Sequence, residues 1–265
     1  MQLVELQRNV HASQGDEVAV VAVSYDPVET LATFAAQHDI TYPLLADVGS
    51  QVIIEIGLLN TGIVAERAYW GRKVEERHIG LPYPGTFILD ADGVIVDRYF
   101  EASHRLRPGG SLLLDRMGIE PDNGGPIVAA EGPALAAAAW VDTVEYFPNQ
   151  LIHLNVRIGV EPGYHVYVPP NPPGFIDVEV TVDAPKGVFV HDFELPAGHP
   201  FSVEGFDEVF TVAEDEFELR IPFYVLEDTG PVTLPIRIAY QACDATTCLV
   251  PDGLDLAVDL TEVRA

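Results

Sequence analysis

Residues 240–251, Y-Q-A-C-D-A-T-T-C-L-V-P, contain both cysteines of the 265-residue chain, and their reading decides the fold around them. Upstream, Ile236, Ile238 and Tyr240 alternate with Arg237, Ala239 and Gln241, the period-two pattern of a half-buried strand. Cys243 and Cys248 enclose Asp244, Ala245, Thr246 and Thr247, a span of turn-forming residues that suits a hairpin loop. A loop of that length sets the two cysteines opposite each other on paired strands. Facing residues of an antiparallel pair lie about 4.5–5.5 Å apart at Cα, inside the roughly 4.4–6.8 Å that a disulfide spans. A cystine across this hairpin needs no large backbone movement.

Working outward, the second half of the chain reads as all-β. Strand patterns fall at 139–145, 151–158, 165–168, 176–182, 216–222, 232–240 and 254–260, separated by Pro/Gly turns. This is the signature of an immunoglobulin-like sandwich, placed at residues 133–265. Residues 118–132, G-I-E-P-D-N-G-G-P-I-V-A-A-E-G, are rich in turn formers, so 119–132 reads as a linker. The first half, residues 1–118, mixes periods. Leu3, Leu6 and Val10 mark a helix, 18–23 a buried strand, 28–38 and 50–56 two further helices, with Gly57 as a stop. Strands at 85–89 and 94–100 flank Asp90-Ala91-Asp92-Gly93, a hairpin turn, and a last helix covers 112–117. That order predicts an α/β domain with an antiparallel edge pair. The segment 60–80, which carries Trp70, Arg72, Lys73, Arg77 and His78, reads as a solvated basic loop.

Charge excludes several functions. The formal net charge is −27, from 41 acidic and 14 basic residues. Residues 1–118 hold 16 acidic and 9 basic side chains, the remainder 25 and 5, so the surplus sits in the second half. Such a surface repels nucleic acid and anionic lipid. No run of about 18 apolar residues predicts a membrane span, and no signal peptide is visible at the N-terminus. The eight histidines show no metal-ligand spacing, so no metal and no cofactor are expected. His78, His165 and His191 read as ordinary strand or loop residues.

Two motifs in the second half carry a family resemblance. Tyr240, Gln241, Cys243, Cys248 and Pro251, with Gly163-Tyr164-His165-Val166-Tyr167 upstream, resemble the active-site hairpin and its neighbouring G-Y-x-x-Y strand in the amino-terminal domain of DsbD, the thiol:disulfide interchange protein, and in related disulfide bond corrector domains. The chain departs from that pattern at Leu249-Val250, where a proline often sits nearer the second cysteine. The resemblance covers roughly the last half of the chain. It implies the sandwich fold and a redox-active Cys243/Cys248 pair, with Cys248 meeting the partner and Cys243 resolving. It also implies shielding by Tyr164, Tyr167 and Tyr240, and a flexible cap at 201–210 that brings Phe206 and Phe210 over the disulfide. Asp244 and the local negative charge should disfavour the thiolates.

The first half resembles the AhpC/TSA, peroxiredoxin-like group of thioredoxin-fold redoxins. The phrases are V-A-V-V-A-V-S-Y-D-P, F-A-A-Q-H-D-I-T-Y-P-L-L-A-D and P-G-T-F-I-L-D-A-D-G-V-I. By that resemblance Pro84 is the candidate cis-proline. In those redoxins a reactive cysteine precedes the helix that begins here at Gln2, and no cysteine precedes Cys243 in this chain. The expectation is therefore an incomplete redoxin domain without its first strand and active cysteine. Tyr83-Pro84-Gly85 stands where the peroxidase branch carries an arginine, which argues for a disulfide partner of the thioredoxin type. Together the resemblances imply a thiol-disulfide oxidoreductase that reacts with a thioredoxin-fold protein or domain through a mixed disulfide, in the periplasm or another extracytoplasmic compartment. The alternative is a non-enzymatic binding or structural protein whose hairpin disulfide is a staple.

Overall fold

The computed structural model describes residues 3–7, 18–100, 106–119, 124–202 and 208–263. The chain divides into two compact units, 1–122 and 123–265.

In the first unit, α1 (residues 3–7) is followed by β1 (Ala22–Ser24), α2 (Val28–Gln37), β2 (Leu44–Ala46) and α3 (Gln51–Glu55). β1 and β2 pair in parallel, Val23 opposite Leu45. The strand expected at 18–23 is shorter than its apolar run, and Val21 and Val23 are exposed, because β2 is the only partner recorded for β1 among the described residues. Two carboxylates organise the loops. Asp47 Oδ2 accepts the Ile53 N–H at 2.9 Å, satisfying an early donor of α3. Glu5 Oε1 accepts the Gly110 N–H at 2.6 Å at the start of α5 (Gly110–Arg116). Gly57, at φ 75°, ends α3 where only a residue without Cβ is comfortable.

The segment 60–80 is not a plain loop. It forms α4 (Ile63–Tyr69) and a 3₁₀ turn (Glu76–His78), and Arg67 Nε donates to Lys73 O at 2.7 Å. No residue of α4 is buried, so the helix carries no apolar stripe from which it could have been read. Then come β3 (Gly85–Leu89) and β4 (Ile95–Phe100), an antiparallel hairpin, and the two-residue strand β5 (Arg107–Pro108). Asp90 Oδ1 closes the hairpin turn by accepting the N–H groups of Asp92 and Val94. Pro84 does not meet the cis expectation. Among the described residues the cis peptide is Pro169–Pro170, and Tyr83–Pro84 keeps the trans form that an X–Pro bond ordinarily prefers.

Among the described residues the second unit is built from three sheets. β6 (Val128–Gly132), β7 (Leu135–Val141), β9 (Gln150–Val160), β15 (Glu216–Val225) and β12 (Val188–Val190) form one, ordered β12-β15-β9-β7-β6. β11 (Glu179–Val182), β16 (Val232–Tyr240), β18 (Asp252–Glu262) and β8 (Glu145–Tyr146) form the second, ordered β11-β16-β18-β8. Their inward faces share one core, in which Leu154, Val156 and Ile158 of β9 join Ile236, Ile238, Leu256 and Val258. Each such side chain is worth about 1.5–3 kcal/mol when fully buried. β16 and β18 alternate buried and exposed along their length, as strands with one wet face must. β9 is buried almost throughout, and on its second face Asn155 Nδ2 donates to Asp142 Oδ1 at 2.9 Å.

The linker expected at 119–132 gives way to β6 from Val128 onward. Its residues alternate in exposure, and the Gly132–Leu135 pair closes a tight β6–β7 hairpin in which Ala134 takes φ 61°. The third sheet, β13 (His199–Ser202), β14 (Val209–Ala213), β10 (His165–Tyr167) and β17 (Ala242–Cys243), ordered β13-β14-β10-β17, carries the cysteine hairpin.

Leu154→Ala or Ile238→Ala, each emptying a fully buried site, lowers the stability of the second unit by about 2–5 kcal/mol in urea denaturation. Val209→Ala, at a residue 62% exposed, stays within about 0.5 kcal/mol.

Candidate redox site

The hairpin forms as its residues dictate. Asp244 N–H donates to Thr247 O at 2.9 Å, and Leu249 N–H donates to Ala242 O at 2.9 Å. Asp244 Oδ1 accepts the N–H groups of Thr246 and Thr247, both at 2.7 Å, and the Thr246 hydroxyl at 2.9 Å, the side-chain-to-backbone closure that favours Asp in turns. Those bonds, the two backbone donors first, hold the Asp244 carboxyl below its ordinary range. It is therefore a fixed negative charge beside the cysteines. Gln241 Nε2 reaches across to Leu249 O at 2.9 Å.

Cys243 and Cys248 face each other as an antiparallel bridge and are joined by a disulfide. Their Cα atoms are 3.9 Å apart, closer than the about 4.5–5.5 Å of regular antiparallel partners. The two sulfur-bearing residues differ in access. Cys243 is 2% exposed, whereas Cys248 lies on the surface.

β10 places the surroundings. It pairs with β14, Val166 opposite Ala213 and Tyr167 opposite Val212, and with β17, His165 opposite Cys243 and Val166 opposite Ala242. Directly opposed residues project to the same face, and successive residues to opposite faces. One face therefore sends Val166, Ala213 and Ala242 into the main core. The other gathers Cys243, Tyr167, Phe210 and Val212 into a second cluster, with Phe175 and Phe201 packed on it. The rings interlock, with Phe175 4.5 Å from Phe210 and 5.1 Å from Tyr167, and Tyr167 5.7 Å from Phe210, centroid to centroid. His165 joins them at 4.3 Å from Phe201.

Of the aromatic residues expected to shield the disulfide, Tyr167 and Phe210 are there. Tyr164 is half-buried against the main core instead. Tyr240 belongs to the main core too, its hydroxyl donating to Pro133 O at 3.1 Å, because it continues the inward parity of Ile236 and Ile238. Phe206 lies outside the described residues. The expected cap at 201–210 is held by strand at both ends, with Phe201 paired opposite Phe210 in β13 and β14.

Three contributors escaped the sequence reading: Phe175, His165 and Asn171. Asn171 Nδ2 donates to Val168 O at 2.8 Å and Asp177 Oδ1 at 2.7 Å, and its Oδ1 accepts the Thr211 N–H at 2.8 Å. That amide ties the proline-rich strap to β14 and so sets Phe175 over the cluster. An asparagine among five prolines and glycines at 169–174 was the available signal, since such a loop needs a side chain to satisfy its backbone. Burial raises the Tyr167 phenol above its usual pKa, so it stays protonated. Among the described residues no group of three or more His, Cys, Asp or Glu is placed to hold a metal ion, and no helix is long and apolar enough to cross a membrane.

Comparison with known families agrees with both halves of this description. Residues 1–98 match the AhpC/TSA family, and residues 136–259 match the family described as thiol:disulfide interchange protein DsbD, N-terminal. The segment that matches the AhpC/TSA family precedes the one that matches the DsbD N-terminal family. Both cysteines lie in the DsbD-type segment, and the AhpC/TSA segment contains none. Among solved structures, the N-terminal periplasmic domain of ScsB from Proteus mirabilis is similar at 14% identity and a TM-score of 0.36, over 52% of this chain and 51% of that one. The reduced DsbD N-terminal domain of Neisseria meningitidis is similar at 18% identity and a TM-score of 0.29, over 41% of this chain and 76% of that one. A complex of the DsbD and PilB N-terminal domains from the same organism gives 18% identity and a TM-score of 0.28, over 40% and 73%. The chain spans about half the length of the ScsB chain. No curated protein matches it.

After reduction, Cys248 is expected to alkylate at least about tenfold faster than Cys243, and both more slowly at neutral pH than a low-pKa catalytic thiol. Timed iodoacetamide labelling with peptide mass spectrometry reads both rates, and equal labelling would contradict the access difference.

Proposed function

We propose that the chain is a thiol-disulfide exchange protein in which the Cys243–Cys248 pair relays two electrons to or from a thioredoxin-fold partner. The observation that carries this reading is the pairing of one exposed and one buried cysteine in a single hairpin cystine, against an aromatic cluster. Exchange needs one sulfur that a partner can reach and a second that is reached only from within.

In the reducing direction a partner thiolate attacks Cys248 Sγ. The bond to Cys243 breaks, and Cys243 Sγ leaves with the electron pair and takes up a proton. The partner's second thiol then attacks its own sulfur in the mixed disulfide and releases Cys248 as a thiol. The partner dithiol is oxidised to a disulfide, and the hairpin cystine gains two electrons and two protons. The opposite direction reverses each step. Tyr167, Phe210, Phe175 and Phe201 keep small oxidants from Cys243, and the Asp244 charge keeps the reduced thiols protonated until a partner docks.

On this reading the first unit is a thioredoxin-like α/β domain and the second an immunoglobulin-like sandwich. The partner is a thioredoxin-fold protein or domain, and a DsbD N-terminal domain does form a complex with a PilB N-terminal domain. The compartment is extracytoplasmic, as is that of the periplasmic ScsB domain. The boundary falls between Gly118 and Ile127. A second reading has one observation in its favour. The AhpC/TSA segment contains no thiol, so a protein in which that segment only binds and the disulfide only staples is coherent.

The two readings separate by titration in glutathione or dithiothreitol buffers. A relay cystine has a potential above about −300 mV, the region below which structural disulfides lie. Its reduction also costs no more than about 2 kcal/mol of stability on the chain-entropy model, since only four residues lie between the cysteines. Cys243→Ser should trap a thioredoxin variant that keeps only its attacking cysteine, supplied as its mixed disulfide with thionitrobenzoate, so that Cys248 displaces thionitrobenzoate and no second thiol remains to release it. A potential well below that region, with no adduct in either single-cysteine variant, leaves the staple.

A further inference from the structure

One buried ionisable group at this site has no part in the exchange as described. His165 is 3% exposed, lies directly opposite Cys243 in the β10–β17 register, and has a buried Nε2 with no hydrogen-bond partner among the described residues. Cross-strand partners carry their Cβ atoms about 4.5–5.5 Å apart on one face, so His165 and Cys243 project side by side from the β10–β17 pair. Its ring is held by Phe201 at 4.3 Å and Tyr167 at 5.5 Å. Leaving a buried polar atom without a partner destabilises the fold. A histidine kept at that cost, on the face of a cysteine whose chemistry moves a proton, points to a role in that movement.

We infer that His165 is the proton-transfer residue of the Cys243–Cys248 couple. The inference rests on the exchange reading above and adds to it the route of the proton at the buried sulfur. When a mixed disulfide on Cys248 is resolved, His165 takes the proton of the Cys243 thiol. The Cys243 thiolate then attacks Cys248 Sγ, the Cys243–Cys248 bond forms, and the partner sulfur leaves with the electron pair. The imidazolium then passes its proton to solvent. In the opposite direction the imidazolium protonates Cys243 Sγ as it leaves. The couple thus exchanges two electrons and two protons with a dithiol or disulfide partner, with one of those protons passing through His165.

The surroundings suit a base that is free at neutral pH. Burial holds the His165 pKa below its usual value, and the neighbouring His199 adds to this, while Glu214 at the end of β14 and Asp244 in the hairpin loop oppose it. His199 and Glu214 largely answer each other, with Nε2 and Oε2 3.4 Å apart. Tyr167, on the same strand, stays protonated. A histidine whose folded pKa lies below about 6.5 stabilises nothing by charging. The stability tied to its neutral form is complete above about pH 6.5 and is lost as the pH falls through the folded value.

The experiment uses the full chain, reduced with dithiothreitol and mixed with an aromatic disulfide, 5,5′-dithiobis(2-nitrobenzoate), in stopped flow. The first release of thionitrobenzoate reports attack by Cys248, and the second reports resolution by Cys243. In the wild-type protein the second phase is expected to be level from about pH 7 to 8 and to fall with an inflection below about pH 6.5. His165→Gln should slow the second phase about 10²-fold at pH 7 and make its rate climb tenfold per pH unit, leaving the first phase within about twofold. His165→Phe preserves the ring packing without either nitrogen and should behave the same way. A wild-type second phase that climbs steadily from pH 5 to 8 overturns the inference without any variant. So does an unchanged second phase in a folded variant. A wild-type disulfide that dithiothreitol cannot reduce overturns the exchange reading, and this inference with it.

Discussion

The pairing of β10 with β14 on one side and β17 on the other is the constraint on which the site depends. Three residues, His165, Val166 and Tyr167, split their side chains between two environments. Val166 anchors the small sheet to the main core, and its two neighbours turn toward the cluster beside the disulfide. The main core and the cluster beside the disulfide are thereby served by two faces of one strand. The main core supplies the rigidity, because β16 runs from its centre directly to Tyr240, three residues before Cys243.

Burial and charge then act on the same two sulfurs. The aromatic cluster covers Cys243 and leaves Cys248 at the surface, so the two sulfur-bearing residues differ in access. Asp244, bound by the loop's own N–H groups, adds a charge that cannot swing away. Desolvation and a nearby carboxylate both disfavour a thiolate. A neutral imidazole on the same face is the group that offsets them locally, in an otherwise acidic chain.

Much of this was legible in the sequence because the signals were local. The Cys-x₄-Cys hairpin, the Asp90–Gly93 turn, the alternation along β16 and β18 and the stop at Gly57 each depend on residues within a few positions of one another. Parity even marked Tyr240 as a core residue through Ile236 and Ile238, although the family resemblance assigned it to the site. What escaped was short, exposed or non-local. β12, β13 and β14 span only three to five residues, too few to show a period. α4 has no buried face. His165 and Asn171 look unremarkable until residues 78 and 40 positions away are brought alongside them. The register that does so is a property of the sheet and not of either segment.

That register also bears on how the chain can change over evolutionary time. A strand tolerates substitution more readily than a change of length, because losing or gaining one residue inverts the parity of all that follows in it. A single deletion within 164–167, or within 241–243, would exchange the residues turned toward the core with those turned toward the disulfide. Loss of Gln241, for instance, would stand Cys243 where Ala242 belongs, with a composition almost unaltered. The turns flanking these strands carry no such parity and can lengthen or shorten freely. Length variants of this protein should therefore accumulate in its loops and be purged from two short runs, one of them containing a single cysteine and the other containing none.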